Sequence, residues 1–126
     1  MPIIVNARNF TQEVLQASGP VLVEFYGDQC MPCRLLRPVL MELSQQYPVL
    51  KVCMFSTDRQ PDESDEEYEE MFGILATFSV MNLPTMLLFV GGELLGSMIG
   101  LHSLEELLEI FRAHGLILTE SAEPEE

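Results

Sequence analysis

The chain has no tryptophan, and of its 126 residues only six are basic, three are cysteine and two are histidine. Each shortage excludes something. Six cations against twenty acids leave a formal net charge of −14, so the basic patches that nucleic acid and anionic membrane surfaces require are missing. Three cysteines, an odd number, do not make a disulfide scaffold. A chain of this length buries about two-thirds of its unfolded surface and does not need one. No apolar run approaches the roughly 18 residues that span a membrane. Ile3-Ile4-Val5, the apolar run near the N-terminus, is far shorter than a secretory h-region. With the odd cysteine, this gives the expectation of a reducing, cytoplasmic location.

What the chain does have is an ordinary globular composition, 48% hydrophobic, and a regular succession of periodicities. Ile3 to Val5 reads as a short strand. Asn9 with Gln12 reads as the cap of a helix carrying Phe10, Val14 and Leu15, stopped by Gly19-Pro20. Val21 to Tyr26 is almost continuously apolar, as in a strand covered on both faces. Leu36, Val39, Leu40 and Leu43 form a helical stripe up to Tyr47, with Pro38 inside it as a kink and Pro48 as its stop. Val49 to Phe55 is a second central strand. Ser64 and Glu67 make a capping box before Tyr68, Met71, Phe72, Leu75 and Phe78; Ser103 and Glu106 make another before Leu104 to His114, ended by Gly115. Between those helices, Asn82-Leu83-Pro84 breaks the pattern, and Thr85–Val90 and Glu93–Ile99 flank the hairpin signal Gly91-Gly92. The order β-α-β-α-β-α-β-β-α implies one α/β domain with a mixed sheet covered by helices on both faces. The domain is expected over residues 1–118, with an acidic insertion near 59–70 and a flexible acidic tail at 119–126. Seven acids lie between Asp62 and Glu70 and four in the last seven residues.

The chain is organised around Gly27-Asp28-Gln29-Cys30-Met31-Pro32-Cys33-Arg34. A strand precedes this stretch and a helix follows it, so the cysteines stand where backbone N–H groups are unpaired and the helix dipole is positive. A thiolate is stabilised there. The two-residue spacing admits two chemistries, a redox pair or half of a metal site. Zinc needs two further ligands, and only Cys53, His102 and His114 are available, scattered and without a second paired motif. Cys53, between Val52 and Met54, reads as a core thiol.

Cys-x-x-Cys after a central strand, at the start of a proline-containing helix, combines with Leu83-Pro84-Thr85 before an antiparallel hairpin and a last amphipathic helix. Together these resemble the thioredoxin family over roughly residues 2 to 115. The resemblance implies the thioredoxin fold and dithiol–disulfide exchange, with no bound cofactor and no metal. It casts Cys30 as the attacking cysteine, Cys33 as the resolving one, and the two as the redox disulfide. Pro84 matches the family's cis-proline beside the pair, Phe25-Tyr26 its aromatic pair, and Pro32 and Pro38 its helix prolines; Arg34 stands where a lysine is usual. Glu24, six residues before Cys30, stands where the family carries a buried aspartate and is a candidate proton acceptor for Cys33. Pointing to solvent at the sheet end is its other reading. Gln29, Met31, Pro32, Met81, Leu83 and Thr85 are the candidate substrate rim, an apolar surface suited to an extended peptide.

The departures are Gln29 for tryptophan, Met31 for glycine, Met54 for a lysine near the buried carboxylate, Asn82 for a frequent glycine, and a longer segment between Asp58 and Phe78. The implied partners are client protein disulfides and a separate electron-donating reductase similar to thioredoxin reductase, with no nucleic acid, no membrane and a monomeric chain. A thioredoxin-fold binding module without efficient turnover is the alternative from another class; a disulfide oxidant or isomerase is the third.

Overall fold

Three central strands and the helices laid across them account for most of the core. The computed structural model describes residues 1–120; the expected flexible tail at 119–126 therefore falls largely outside the described residues. Five strands, β1 (Ile3–Val5), β2 (Pro20–Tyr26), β3 (Lys51–Ser56), β4 (Thr85–Val90) and β5 (Glu93–Ile99), form one sheet in the order β1-β3-β2-β4-β5. β1 and β2 run parallel to β3, whereas β4 is antiparallel to β2 and β5 to β4. Three helices, α1 (Met31–Gln46), α2 (Asp65–Thr77) and α3 (Leu104–Ala113), cover it.

Side chains alternate across a strand, so β2 feeds two cores. Leu22 joins Val52, Met86, Leu88 and Met98 beneath Leu36, Leu40 and Leu43 of α1 and Leu107 and Phe111 of α3. Val21, Val23 and Phe25 join Val5, Cys53, Phe55, Leu87 and Phe89 beneath Phe10, Val14 and Met71 of α2. The ring of Phe10 is the hub of this second core, 5.9 Å from the rings of Phe55 and Phe78 and 6.4 Å from Phe25 and Phe89. Both predicted capping boxes are made, with Ser64 and Glu67 at α2 and Ser103 and Glu106 at α3. Pro38 lies within α1 without ending it.

The first helical segment differs from the sequence expectation. Asn9 does not cap it. Its Oδ1 accepts from the Asn6 N–H at 2.7 Å, and Asn6 Oδ1 accepts from the Asn9 N–H at 3.2 Å. Thr11–Leu15 then form a single π-helical turn with no side-chain cap. Lys51 anchors this turn: its ammonium donates to the Glu13 carbonyl at 2.9 Å and pairs with the Glu13 carboxylate at 2.6 Å, while Phe10 and Val14 lie in the core. β3 also begins at Lys51 instead of Val49, because the Leu50 N–H closes a turn onto the Tyr47 carbonyl at 2.9 Å and leaves Val49 exposed.

Candidate active site

Cys30 is the N-cap of α1, and its sulfur accepts from the backbone N–H of Cys33 at 3.2 Å. One of the orphan donors of the helix start is thus satisfied by a side-chain sulfur. Pro32, in the first turn, has no N–H to leave unpaired. Cys30 and Cys33 are disulfide-bonded with Cα atoms 5.3 Å apart. Cys30 is half-buried and Cys33 only 2% exposed, so an incoming group meets Cys30 first. The loop before the pair is fixed from two directions. The Asp58 carboxylate accepts the Asp28 N–H at 2.6 Å, and the Arg34 guanidinium donates to the Asp28 carbonyl at 2.9 Å.

Glu24 lies in the middle of β2, 1% exposed, which removes the solvent-facing reading. Its neighbours in register are Met54 on β3 and Met86 on β4. Both carboxylate oxygens are buried without a hydrogen-bond partner. Glu24 shares a sheet face with Leu22 and Tyr26, the face that α1 covers. Burial pushes its carboxyl up from 4.5 to about 7, against the opposing pull of Arg37. An unpaired carboxyl in an apolar site holds its proton, because desolvation penalises the charged form.

The peptide between Leu83 and Pro84 is cis, and the Pro84 carbonyl accepts the Gly100 N–H at 2.9 Å. The β2–β4 register, with Phe25 opposite Thr85, brings this loop to the end of β2 that leads to Cys30. A Cβ at Gly27 would meet the Leu83 side chain at 3.2 Å, so Gly27 allows the two segments to close together. Of the candidate rim, Gln29, Met31, Pro32, Met81 and Leu83 are exposed, Met81 to 85%. Thr85 is buried, and its hydroxyl donates to the Asn82 carbonyl at 2.6 Å; its side chain holds the loop. Ile99 and Leu101, exposed on either side of Gly100, extend the apolar surface and were not singled out by the sequence. Asp58 and Arg37 were also missed. Arg37 carried one usable signal, its place four residues after Cys33 on the same helix.

Cys53 is fully buried on the opposite face of the sheet, and burial pushes its thiol up to about 11, with Lys51 opposing and Glu13 adding to the shift. His102 and His114 each direct Nδ1 at a backbone carbonyl, of Gly100 and Ile110 respectively. Among the described residues no group of three or more His, Cys, Asp or Glu side chains is arranged to hold a metal, and no helix is long and apolar enough to cross a membrane.

Comparison with known proteins agrees with this geometry. The family model described as Thioredoxin matches residues 1–113. A thioredoxin of Rickettsia bellii is 32% identical over 106 residues, covering 83% of this chain and 90% of the relative. The chloroplastic thioredoxin M5 of Oryza sativa is 33% identical over 99 residues; that match covers 78% of this chain and 51% of the rice protein, so this chain spans about half of it. The crystal structure of Chlamydomonas reinhardtii thioredoxin f2 superposes with a TM-score of 0.74 at 20% identity, covering 90% of this chain and 96% of that one.

Proposed function

The chain belongs to the thioredoxin family and is a dithiol–disulfide oxidoreductase of the protein-disulfide reductase type, and we propose that Cys30 is its attacking sulfur and Cys33 its resolving one. The single observation that carries this assignment is the Cys33 N–H directed at the half-exposed Cys30 sulfur at the start of α1. In the dithiol state the Cys30 thiolate attacks one sulfur of a client disulfide. A Cys30–client disulfide forms, and the other client sulfur leaves as a thiolate and takes a proton. Cys33 gives its proton to the Glu24 carboxylate, directly or through water, and attacks the Cys30 sulfur. The Cys30–Cys33 disulfide forms, the second client thiolate leaves, and two electrons have passed from the pair to the client.

Pro84, in the loop beside Gly27, borders the place where the client chain lies. Gln29, Met31, Pro32, Met81 and Leu83 supply an apolar surface for it, with Thr85 keeping the loop in shape. The electrons return from a separate reductase similar to thioredoxin reductase. The protein acts as a monomer on client protein disulfides in the cytoplasm, with neither nucleic acid nor membrane as partner, and serves cell redox homeostasis. The α2 acids are split by their bonding. Asp65 and Glu67, like Glu63 just before the helix, are engaged in hydrogen bonds and ion pairs, whereas Glu66, Glu69 and Glu70 are exposed and carry no such bond among the described residues, which supports a docking face for a basic partner.

Dithiothreitol-driven insulin reduction tests the reading, comparing the wild type with Cys30→Ser. The wild type accelerates reduction and Cys30→Ser does not. A wild type no faster than dithiothreitol alone would leave a binding module, and a midpoint potential far above that of glutathione would make it an oxidant.

A further inference from the structure

The Glu24 carboxyl is the least compensated polar group among the described residues, with both oxygens buried and unpartnered. Sequence register surrounds it with sulfur instead of charge, Met54 on one side and Met86 on the other. Its own strand offers Tyr26 two residues on, on the same face. Above that face runs α1, where Cys33 and Arg37 are four residues apart and therefore on one side of the helix. Cys33 is buried toward the sheet. Arg37 is exposed, yet its guanidinium carbon lies 5.6 Å from the centroid of the Tyr26 ring. Arg37 makes no ion pair among the described residues, although Arg8, Lys51 and Arg59 each do.

We propose that Arg37, seated on the Tyr26 ring, is a positioning residue that sets the charge of Glu24 and thereby the pH range in which Cys33 can be deprotonated. The proposal rests on the reading of Glu24 as the proton acceptor for Cys33. A guanidinium held against an aromatic face at the rim of the sheet keeps a fixed positive charge near a carboxylate that has no other cation to answer it. The groups facing Glu24 are few. α1 brings Cys33 and Arg37; β2 brings Tyr26; β3 brings Met54 and, opposite Tyr26, Ser56; β4 brings Met86. Of these only Arg37 carries a charge at neutral pH. The direction of its effect on the Glu24 carboxyl is downward, opposing burial. Arg37 thus enlarges the carboxylate fraction available at neutral pH to accept the Cys33 proton.

The test is Arg37→Met, which keeps the aliphatic stem and removes the charge, with Arg37→Lys as the conservative variant. The Glu24 side-chain carboxyl is followed by carbon-13 NMR from pH 5 to 9, and resolution of a Cys30 mixed disulfide is timed over the same range. The Glu24 midpoint rises by about half a unit in Arg37→Met, resolution at pH 7 slows about twofold, and Arg37→Lys recovers part of both. In a Glu24→Gln background, Arg37→Met causes no further slowing. A Glu24 midpoint unmoved by Arg37→Met overturns the proposal, whatever the rates do. Further slowing in the Glu24→Gln background also overturns it, since Arg37 would then act on the client. A midpoint that rises while resolution keeps its pH profile supports the hold of Arg37 on Glu24 and removes Glu24 from the proton transfer, so the two readings fail separately.

Discussion

The first cysteine of the pair caps the second: the Cys33 N–H reaches the Cys30 sulfur at 3.2 Å, so the helix start that holds the pair also prepares its outer member for ionisation. Iodoacetamide added to the reduced protein at pH 7 therefore labels Cys30 first and Cys33 slowly. Cys53, with its thiol pushed up to about 11 by burial, labels only after denaturation. Peptide mass mapping of a time course reads all three. Native labelling of Cys53 at a rate near that of Cys30 would contradict the assignment.

Glu24 should make the fold less stable as pH rises. Its carboxyl holds a proton to about pH 7 in the folded chain against 4.5 ordinarily. Between those values the unfolded chain has released the proton and the folded chain has not. The contribution of Glu24 to stability is fully present below pH 4.5, declines through the window and levels off above 7, by about 3 kcal/mol at most. Glu24→Gln removes that slope. Urea unfolding at pH 4 and pH 8 shows the variant's advantage growing toward pH 8; an equal difference at both would sink the prediction.

Much of this site lies in short-range sequence signals, and the remainder does not. The cysteine pair, the proline at 84, and the boxes at Ser64 and Ser103 each depend on spacings of one to three residues, which survive folding because their partners are local. The Asp58–Asp28 bond spans 30 residues, and the seat of Arg37 on Tyr26 depends on how α1 lies across β2; neither has a local pattern. Asn9 shows the opposite failure. Its capping signal is sound in isolation, but the Asn6 N–H takes its Oδ1, and Lys51, 38 residues beyond Glu13, holds the Glu13 carbonyl within the π turn. Thr85 reads as part of an exposed rim until the sheet buries it and Asn82 takes its hydroxyl.

The Gly91-Gly92 turn tests backbone freedom at two adjacent positions. Both have positive φ, +59° and +83°, but a Cβ at Gly92 would fall 2.6 Å from the Leu15 carbonyl oxygen, whereas one at Gly91 meets nothing within 4 Å. Gly91→Ala costs about 1 kcal/mol, the left-handed penalty alone. Gly92→Ala adds a backbone collision and costs about 3 kcal/mol or more. Thermal denaturation ranks them, and equal losses would show that the π turn moves aside freely.

Reversing Glu66, Glu69 and Glu70 to lysine tests the acidic face of α2. Reduction of this protein by its natural reductase slows about tenfold at low ionic strength, mostly in association. The deficit fades toward 1 M salt, where screening reaches about 3 Å. An unchanged rate at low salt would leave those acids as a solvated helix start.

β2 is hydrogen-bonded along both edges, to β3 and to β4, and carries Glu24 at its centre and the cysteine loop at its end. Isotope exchange at the amides of Leu22 to Phe25 therefore proceeds only when the whole molecule unfolds. Glu24 sits in that doubly paired segment, while Cys30 lies just past the strand's last pairing. Solvent can visit Cys30 repeatedly without the sheet ever opening beneath it.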